Sequence, residues 1–598
     1  MRAFLIWHDT CRLPDHSSDK IASKALEFLA PMFGPGLIVA DCSTPALHGV
    51  IVEQPVFGCR LAFAEADEET DVQAIEYPLN ARAVLSRSLQ RVPESLLPAL
   101  CRELERSPER VLSELAPPFS LLWFRKANHS TTLQVDGLGQ APLFEFENGR
   151  LWAVTNHLAL LQILGVELQP LPAEWAAWSA VAGWFPMDLT GFRGVRRVAP
   201  GTRLRVDRDG IHRTVFDLPP NWLHPSPLSV EDRREAARQS LLDMLGEVLR
   251  FADDFDVGLS GGWDTRAVVS SLHALGANFR PRVKGPAHSP DVLRATELAR
   301  LGGLDLIVTN HSEPASDSWQ DSARSVALAL RWQAGEMDID KHKTLFACGR
   351  RFLQARINMM GQHGELVRGR FYDKLIREGR ITVDIGDDDI EEATTREYLK
   401  RLPPFVRSDV AEQVREIIIA SLRQAGRFGL HGLLLLDFHF LYEYTRRRNA
   451  GSLASQNNLV VAPFLNPEII RCCFGSSPEE KAFLRFHRHI IEINAPGWID
   501  VPFAQFTAPF EFEAQADLVD PVRAAEAFFI RTARDSRYYD AIAWWKSAGQ
   551  PLLAEAIETD GFLSEVFDQV AMRRTPTAAP DDIVVMAALS KAAAAAVV

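Results

Sequence analysis

The chain has 598 residues, which is too long for one hydrophobic core and predicts at least two domains. Its net charge of −13 argues against a protein that binds nucleic acid through a broad basic surface. Seven scattered cysteines without metal-ligand spacing, and no apolar stretch of membrane-spanning length, predict a cytoplasmic protein with reduced thiols. We therefore expect neither nucleic acid nor a membrane among its partners.

Residues 1–215 alternate short β-rich runs with turns, and the clearest predicted strands are 119–124, 131–135, 151–154 and 202–206. The stretch 216–230 contains four prolines, which exclude a helix or a central strand and predict a linker. Ser229 with Asp232 resembles a capping box that opens a long amphipathic helix through Leu249. The rest of the segment 231–598 then shows short apolar runs separated by helical segments. That alternation predicts a parallel sheet of α/β type in the second domain.

One segment of the second domain joins an apolar run to a helix through a glycine turn, Val257-Gly-Leu-Ser-Gly-Gly-Trp-Asp-Thr-Arg266. The backbone can approach an anion here, and we expect the N–H groups of Gly261, Gly262 and Trp263 to point at it. Ser260 and Thr265 add hydroxyl donors. Asp264 would repel a phosphate, so its predicted role is to hold Mg²⁺ against the phosphate oxygens. The segment predicts a nucleotide with a metal, although an ordinary turn before a helix is the alternative.

A second strand-to-turn junction follows the apolar run 356–360 and reads Gly361-Gln-His-Gly-Glu-Leu-Val-Arg-Gly369. Ligands of a parallel sheet bind beyond the carboxyl ends of its strands, so both turns are expected at one edge. Glu365 would then face Asp264, and the two carboxylates would form a Mg²⁺ clamp. A solvated surface turn is the alternative. Further on, the run Arg446-Arg-Arg448 indicates a helix end or, less favoured, a contact to an anionic substrate.

The motifs S-G-G-W-D-T, G-Q-H-G-E-L and A-P-F-L-N, with three N-terminal motifs in order at 115–124, 135–143 and 191–201, resemble the glutamine-dependent asparagine synthetase superfamily. The resemblance covers nearly the whole chain. It implies an α/β protein with a degenerate N-terminal Ntn-hydrolase-like, glutaminase-like αββα sandwich domain over 1–215. It also implies a Pro-rich linker over 216–230 and, over 231–598, a C-terminal ATP-pyrophosphatase domain with a parallel sheet and a helical C-terminal part.

The same resemblance implies an ATP- and Mg²⁺-dependent enzyme that forms an amide and releases AMP and pyrophosphate. Its metal ligands would be Asp264 and Glu365. The residues implied for nucleotide binding are Leu259, Ser260, Gly261, Gly262, Trp263, Asp264, Thr265, Lys284 and Gly361.

Three departures from the superfamily pattern narrow the activity. Arg2 stands where a working glutaminase has its nucleophilic cysteine, so glutamine hydrolysis is not expected. Gln362 replaces a glutamate of the second turn, and the segment 499–506 contains no counterpart of the lysine that contacts the adenylate. Arg485, Arg488 or a lysine from elsewhere would have to supply that positive charge.

The tryptophan after the two glycines, the G-x-x-G-E turn and a Tyr-Glu helix at 441–448 resemble the lasso-peptide macrolactam synthetases. These enzymes adenylate an Asp or Glu side chain of a peptide, which the peptide's N-terminal amine then attacks. The resemblance implies a precursor peptide, a leader peptidase and a leader-binding protein as partners. It makes Gln362, His363 and Glu443 the catalytic candidates, the last two for removal of a proton.

Two other functions remain open from the sequence. One is an amide-forming enzyme for a small molecule, of asparagine synthetase or β-lactam synthetase type. The other is a catalytically silent homologue that only binds a partner. The intact residues Ser260, Gly261, Gly262, Asp264 and Glu365 argue against the silent homologue, and the altered Gln362 argues against asparagine synthesis.

Overall fold

The computed structural model of the chain describes residues 2–9, 16–33, 36–45, 47–181, 184–224, 228–309, 356–377, 381–402, 406–449, 459–503 and 565–567. Within these ranges the strands form three sheets, two with six strands and one with five. All four strands predicted for the N-terminal part are present. The fold is therefore mixed α/β, as expected.

The two six-stranded sheets are antiparallel throughout. The first has the order β10-β8-β9-β1-β3-β2 and the second the order β12-β11-β7-β6-β5-β4. Their strands are β1 (Arg2–Asp9), β2 (Ile38–Asp41), β3 (His48–Glu53), β4 (Ala64–Ala66), β5 (Thr70–Glu76), β6 (Ser120–Arg125), β7 (Ser130–Val135), β8 (Phe144–Glu147), β9 (Leu151–Thr155), β10 (Val195–Arg197), β11 (Thr202–Asp207) and β12 (Gly210–Val215).

The two sheets face each other across an apolar layer that includes Phe4 and Ile6 of β1 and Leu133 and Val135 of β7. The outer face of the first sheet is covered by helix α1 (Ser18–Phe33), which packs on β3. Helices α2 (Ala81–Ser88), α3 (Leu96–Arg106) and α4 (Pro108–Glu114) follow, and α3 packs on β5 of the second sheet. The layers are helix, sheet, sheet and helix because successive strand residues point to opposite faces and both faces are apolar.

The third sheet is parallel and has the order β15-β14-β13-β16-β17. Its strands are β13 (Phe255–Gly258), β14 (Arg280–Lys284), β15 (Ile307–Thr309), β16 (Ile357–Met359) and β17 (Leu459–Val461). The core of this sheet is continuous with the apolar face of β5 and β6. The two halves of the chain therefore share this part of their cores, and the sandwich has further apolar clusters of its own between its sheets and under α1.

The remaining α-helices of the described ranges follow in chain order. They are α5 (Pro172–Ala180), α6 (Pro220–Leu223), α7 (Val230–Leu249), α8 (Trp263–Ala274), α9 (Pro290–Gly302), α10 (Asp373–Arg377), α11 (Asp387–Leu399), α12 (Ser408–Arg423), α13 (Leu434–Phe438), α14 (Pro467–Phe474), α15 (Pro478–Ala482) and α16 (Arg485–Asn494). Helix α7 begins after Ser229, whose hydroxyl accepts a hydrogen bond from the Asp232 N–H, as the sequence predicts. None of the helices in the described ranges combines the length and apolar composition needed to cross a membrane.

A π-helical segment, His439–Asn449, continues α13 and packs against the N-terminal sandwich. The Arg446 guanidinium is buried there and lies 2.6 Å from Asp188 Oδ1. Arg197 donates to the Arg446 carbonyl at 2.7 Å, and the Gln140 amide donates to Thr445 Oγ1 at 2.9 Å. Arg446 is therefore a buried contact between the two halves, so the helix-end interpretation of this arginine is incomplete.

We expect Arg446→Met to lower the free energy of unfolding by about 2–3 kcal/mol, because it removes hydrogen bonds to a charged partner from a buried position. Methionine keeps the apolar stem of the side chain, so the loss of stability measures the contribution of the guanidinium group. The control is Arg205→Met, since Arg205 is 51% exposed in its ion pair with Asp207 and an exposed pair contributes at most about 1 kcal/mol. Urea unfolding measures the stability of both variants. Equal midpoints would show that the buried Arg446 contact contributes no more stability than the exposed Arg205 ion pair.

Candidate nucleotide and metal site

The first predicted turn lies at the carboxyl end of the central strand β13. Residues 259–262 connect Gly258 to Trp263, where α8 begins. Leu259 is buried, and its N–H donates to the Arg282 carbonyl of β14 at 2.8 Å. This bond extends the parallel ladder by one residue and fixes where the turn starts.

Hydrogen bonds within the protein already use the polar groups of this turn. The Gly261 N–H donates to Asp291 Oδ1 at 2.9 Å, and the Gly262 N–H donates to Ser260 Oγ at 3.1 Å. Ser260 Oγ and Thr265 Oγ1 lie 2.9 Å apart. The sequence did not indicate Asp291 as a partner, because this carboxylate comes from the first turn of α9. A phosphate at Gly261 would have to displace it.

The second predicted turn packs directly on the first. Strands β13 and β16 are parallel neighbours, so both turns emerge at the same edge of the sheet. A Cβ on Gly361 would lie 2.5 Å from Thr265 N, and one on Gly364 would lie 2.6 Å from Asp264 Oδ1. The two turns touch because neither glycine has a side chain. The expected proximity of the second turn to Asp264 is therefore present.

Cations surround the Asp264 carboxylate. His487 Nε2 of α16 lies 2.7 Å from Asp264 Oδ1, and Arg368 Nε lies 3.7 Å from the same oxygen. Burial disfavours the charged form of Asp264, but Arg368, His487 and Arg370 outweigh it and hold its pKa below the ordinary value. Asp264 is therefore ionised at neutral pH.

Glu365 shows the opposite shift. Burial and the charge of Asp264 raise its pKa, although Arg368 and Arg370 oppose the rise. Two carboxylates that repel each other would both ionise more readily around a divalent cation. The described residues contain no group of three or more His, Cys, Asp or Glu side chains that could hold a metal. Two carboxylates do suit Mg²⁺, which usually takes one or two of them together with phosphate oxygens and water.

Buried polar atoms without a hydrogen-bond partner in the described structure cluster at this junction. They include Asp264 Oδ1, Gln362 Oε1, and both ring nitrogens of His363 and of His487. The 2.7 Å contact between His487 Nε2 and Asp264 Oδ1 is therefore an ion-pair distance without hydrogen-bond geometry. His363 has a left-handed backbone with φ of 70°, which holds its fully buried ring inside the turn. Such atoms are rare in folded proteins, so their concentration here fits a site that a polar ligand completes.

The remaining predicted site residues have different surroundings. Burial lowers the pKa of His363 to about 4, so its ring is neutral at physiological pH. Glu443 is fully buried in the π-helical segment, where its oxygens accept from the Met187 N–H and the Gln424 amide, each at 2.8 Å. Lys284 is exposed at the carboxyl end of β14, on the same edge as both turns.

The sequence alone did not indicate three further residues at the site, Arg266, Arg368 and His487. Arg266 is fully buried, and it donates to the carbonyls of Trp498 at 2.9 Å and Val501 at 2.8 Å. Trp263 stacks on Phe503 with ring centroids 3.3 Å apart. The described part of the segment without the superfamily lysine, up to Phe503, is thus fastened to α8. No local pattern indicates these contacts, since more than 200 residues separate the partners.

Arg2, the residue at the position of the expected glutaminase nucleophile, is a structural side chain. It donates to the carbonyls of Phe63 at 2.9 Å and Ala74 at 2.6 Å and to Gln73 Oε1 at 2.7 Å. Its Nε lies 3.0 Å from Glu53 Oε2. These contacts join β1 of the first sheet to β5 of the second. A guanidinium has no nucleophilic electron pair at neutral pH.

No protein-family profile and no curated protein matches the chain. Among solved structures it is similar to the allosteric regulatory enzyme of purine biosynthesis, with 13% identity, a TM-score of 0.26, and coverage of 53% of this chain and 81% of that one. It is also similar to glutamine phosphoribosylpyrophosphate amidotransferase from B. subtilis complexed with ADP and GMP, with 12% identity, a TM-score of 0.24, and coverage of 60% and 81%. Similarities this weak assign neither a family nor an activity.

We expect Gly364→Ala to lower the free energy of unfolding by about 1–3 kcal/mol, because the new Cβ forces the two turns apart. The matched control is Gly246→Ala in the last turn of α7, where nothing lies within 4 Å of the new Cβ. That change should stabilise the protein by up to about 1 kcal/mol, since alanine favours helix. Thermal unfolding measures both variants. An unchanged midpoint for Gly364→Ala would contradict the close packing of the turns.

Proposed function

We propose that the protein is an ATP-dependent, amide-forming ligase that activates a carboxylate as an adenylate and releases AMP and pyrophosphate. One observation carries the proposal: the second turn packs on Asp264, whose charge raises the pKa of Glu365, at the carboxyl edge of a parallel sheet and beside a glycine turn that begins a helix. Open parallel sheets bind their ligands at this edge. The adenylate chemistry comes from the superfamily resemblance of the two turns.

Asp264 and Glu365 would hold Mg²⁺, which supplies neutralisation of phosphate charge when bound. The first turn, Ser260 to Thr265, would receive the phosphates at the start of α8, where the helix dipole favours an anion. Asp291 would then release the Gly261 N–H. Lys284 and Gly361 lie on the same edge and would complete the nucleotide site.

Arg368 is our candidate for the positive charge that the superfamily lysine would otherwise supply. It is held near Asp264 and also donates to Asp373 Oδ2 at 3.3 Å, so its position is fixed from two sides. Of the cations considered from the sequence, Arg488 is engaged with Glu492 at 2.5 Å. A guanidinium can bind phosphate oxygens in pairs, which suits a departing pyrophosphate.

We propose a peptide as the substrate, with an Asp or Glu side chain as the activated carboxylate and the peptide's own N-terminal amine as the nucleophile. An α-amino group has a pKa of about 7.7–8.0, so much of it is already neutral near physiological pH. A weak base in the protein then suffices, which fits Gln362 in place of a glutamate and the neutral ring of His363. A leader peptidase and a leader-binding protein would prepare the precursor.

The first functional prediction concerns the products of ATP. With its acceptor substrate, the protein should convert ATP to AMP and pyrophosphate only when Mg²⁺ is present. Asp264→Ala and Glu365→Ala should each bring product formation below detection, because either change removes a metal ligand. The control Asp209→Ala removes a carboxylate from an exposed turn and should leave the rate unchanged. Release of ADP in place of AMP would exclude the proposed chemistry.

The second functional prediction concerns the acceptor. A peptide with a free N-terminus and an acidic residue several positions along should lose the mass of one water when incubated with the protein, ATP and Mg²⁺. Acetylation of the N-terminus should stop ring closure by removing the nucleophile. Replacing the acidic residue by its amide should stop pyrophosphate release as well. Mass spectrometry of the peptide measures ring closure, and the release of pyrophosphate is measured in the same reactions.

The peptide experiment includes free aspartate with ammonia as a competing substrate. Formation of asparagine without dehydration of any peptide would favour the small-molecule amide synthetase. Absence of AMP formation with every substrate would favour the silent binding homologue.

A further inference from the structure

The side chain of Asp264 is divided between a buried side and an accessible side. Its Oδ1 atom is fully buried, whereas the side chain as a whole retains 19% of its exposure. Gly364 packs against its Cβ and Oδ1. The accessible part of the carboxylate is therefore at Oδ2. Only this oxygen is positioned for a ligand that enters from solvent.

His487 lies against the buried oxygen at an ion-pair distance, although neither atom has a hydrogen-bond partner of good geometry. Its Nε2 atom lies 2.7 Å from Asp264 Oδ1, closer than Arg368 Nε at 3.7 Å. The imidazole is fully buried, with the Trp263 ring centroid 6.4 Å away in an edge arrangement and the Phe464 ring centroid 5.9 Å away. Neighbours on both sides fix the ring plane, so the contact to Asp264 is set by packing.

The contact extends across the fold. His487 lies on α16, more than 200 residues after α8 in the sequence, and these two helices pack on each other. His489, two residues further along α16, points to a different partner, with its Nε2 atom 3.1 Å from Glu235 Oε2. One helix thus presents two histidines to two carboxylates, of which only Asp264 belongs to the candidate site.

We propose that His487 is a positioning residue, which fixes Oδ1 of Asp264 so that Oδ2 is presented to a divalent cation. The inference rests on the proposed function, since it assumes that Asp264 is a metal ligand. Carboxylates that bind metals are commonly held by a second polar group, and loss of such a group weakens metal binding by about 10–100-fold. The aspartate would otherwise be free to turn toward Arg368.

Two amide variants test the role of Nε2. Glutamine places its amide nitrogen near the position of Nε2, whereas asparagine places it near Nδ1 and falls short of Asp264. We expect His487→Asn to weaken Mn²⁺ binding by about 10–100-fold, and His487→Gln to restore most of the loss. The control His489→Gln should bind Mn²⁺ like the unaltered protein.

Binding is measured on the full chain by the electron paramagnetic resonance signal of free Mn²⁺, with α,β-methylene ATP present. Urea midpoints identify any variant that has lost its fold. If His487→Asn is such a variant, the Mn²⁺ affinity of His487→Gln, which keeps a donor, is compared with that of His489→Gln. Equal Mn²⁺ affinity for His487→Asn and the unaltered protein would overturn the role of His487 alone. If the unaltered protein binds no Mn²⁺, the proposed metal site itself fails, and the role of His487 fails with it.

Discussion

The close contact between two glycine-containing turns is the constraint on which the candidate site depends. Gly361 and Gly364 approach the first turn of α8 so closely that any side chain would collide with Asp264 or Thr265. The contact becomes possible because β13 and β16 are adjacent and parallel, so their following turns leave the sheet side by side. It places two carboxylates in one site, where the charge of Asp264 raises the pKa of Glu365.

The charges around Asp264 and Glu365 determine whether these two carboxylates are ionised. Two buried carboxylates alone would repel, and one of them would become protonated. Here Arg368 and His487 hold Asp264 in its ionised form, whereas Glu365 keeps a raised pKa. The site therefore has some cationic support from the protein but still gains from a further cation. That combination is suited to a metal that arrives together with a nucleotide.

The N-terminal sandwich is joined to the second half of the chain by buried contacts. Arg2 joins its two sheets, and Glu443 and Arg446 of the π-helical segment are held by residues 187 and 188 at its surface. The π-helical segment lies between the two halves of the chain, and its polar side chains contact the N-terminal half. A domain that shares its core and these buried contacts with its neighbour can support the neighbour's architecture without any chemistry of its own.

The sequence by itself determined the elements and the order of the two turns. Short β-rich runs bounded by turn residues identified four strands of the sandwich, and the Ser229 cap located the start of α7. Short apolar runs separated by helical segments indicated a parallel sheet, because these signals are all local in the chain. Glycines next to Asp264 and Glu365 indicated the candidate site for the same reason. Only the tertiary structure decided the partners of these residues. Asp291 at Gly261, His487 at Asp264, Arg266 at Val501 and Arg446 at Asp188 are contacts between distant segments. Such pairs leave no periodic signature, since their geometry is fixed by how whole helices and sheets pack.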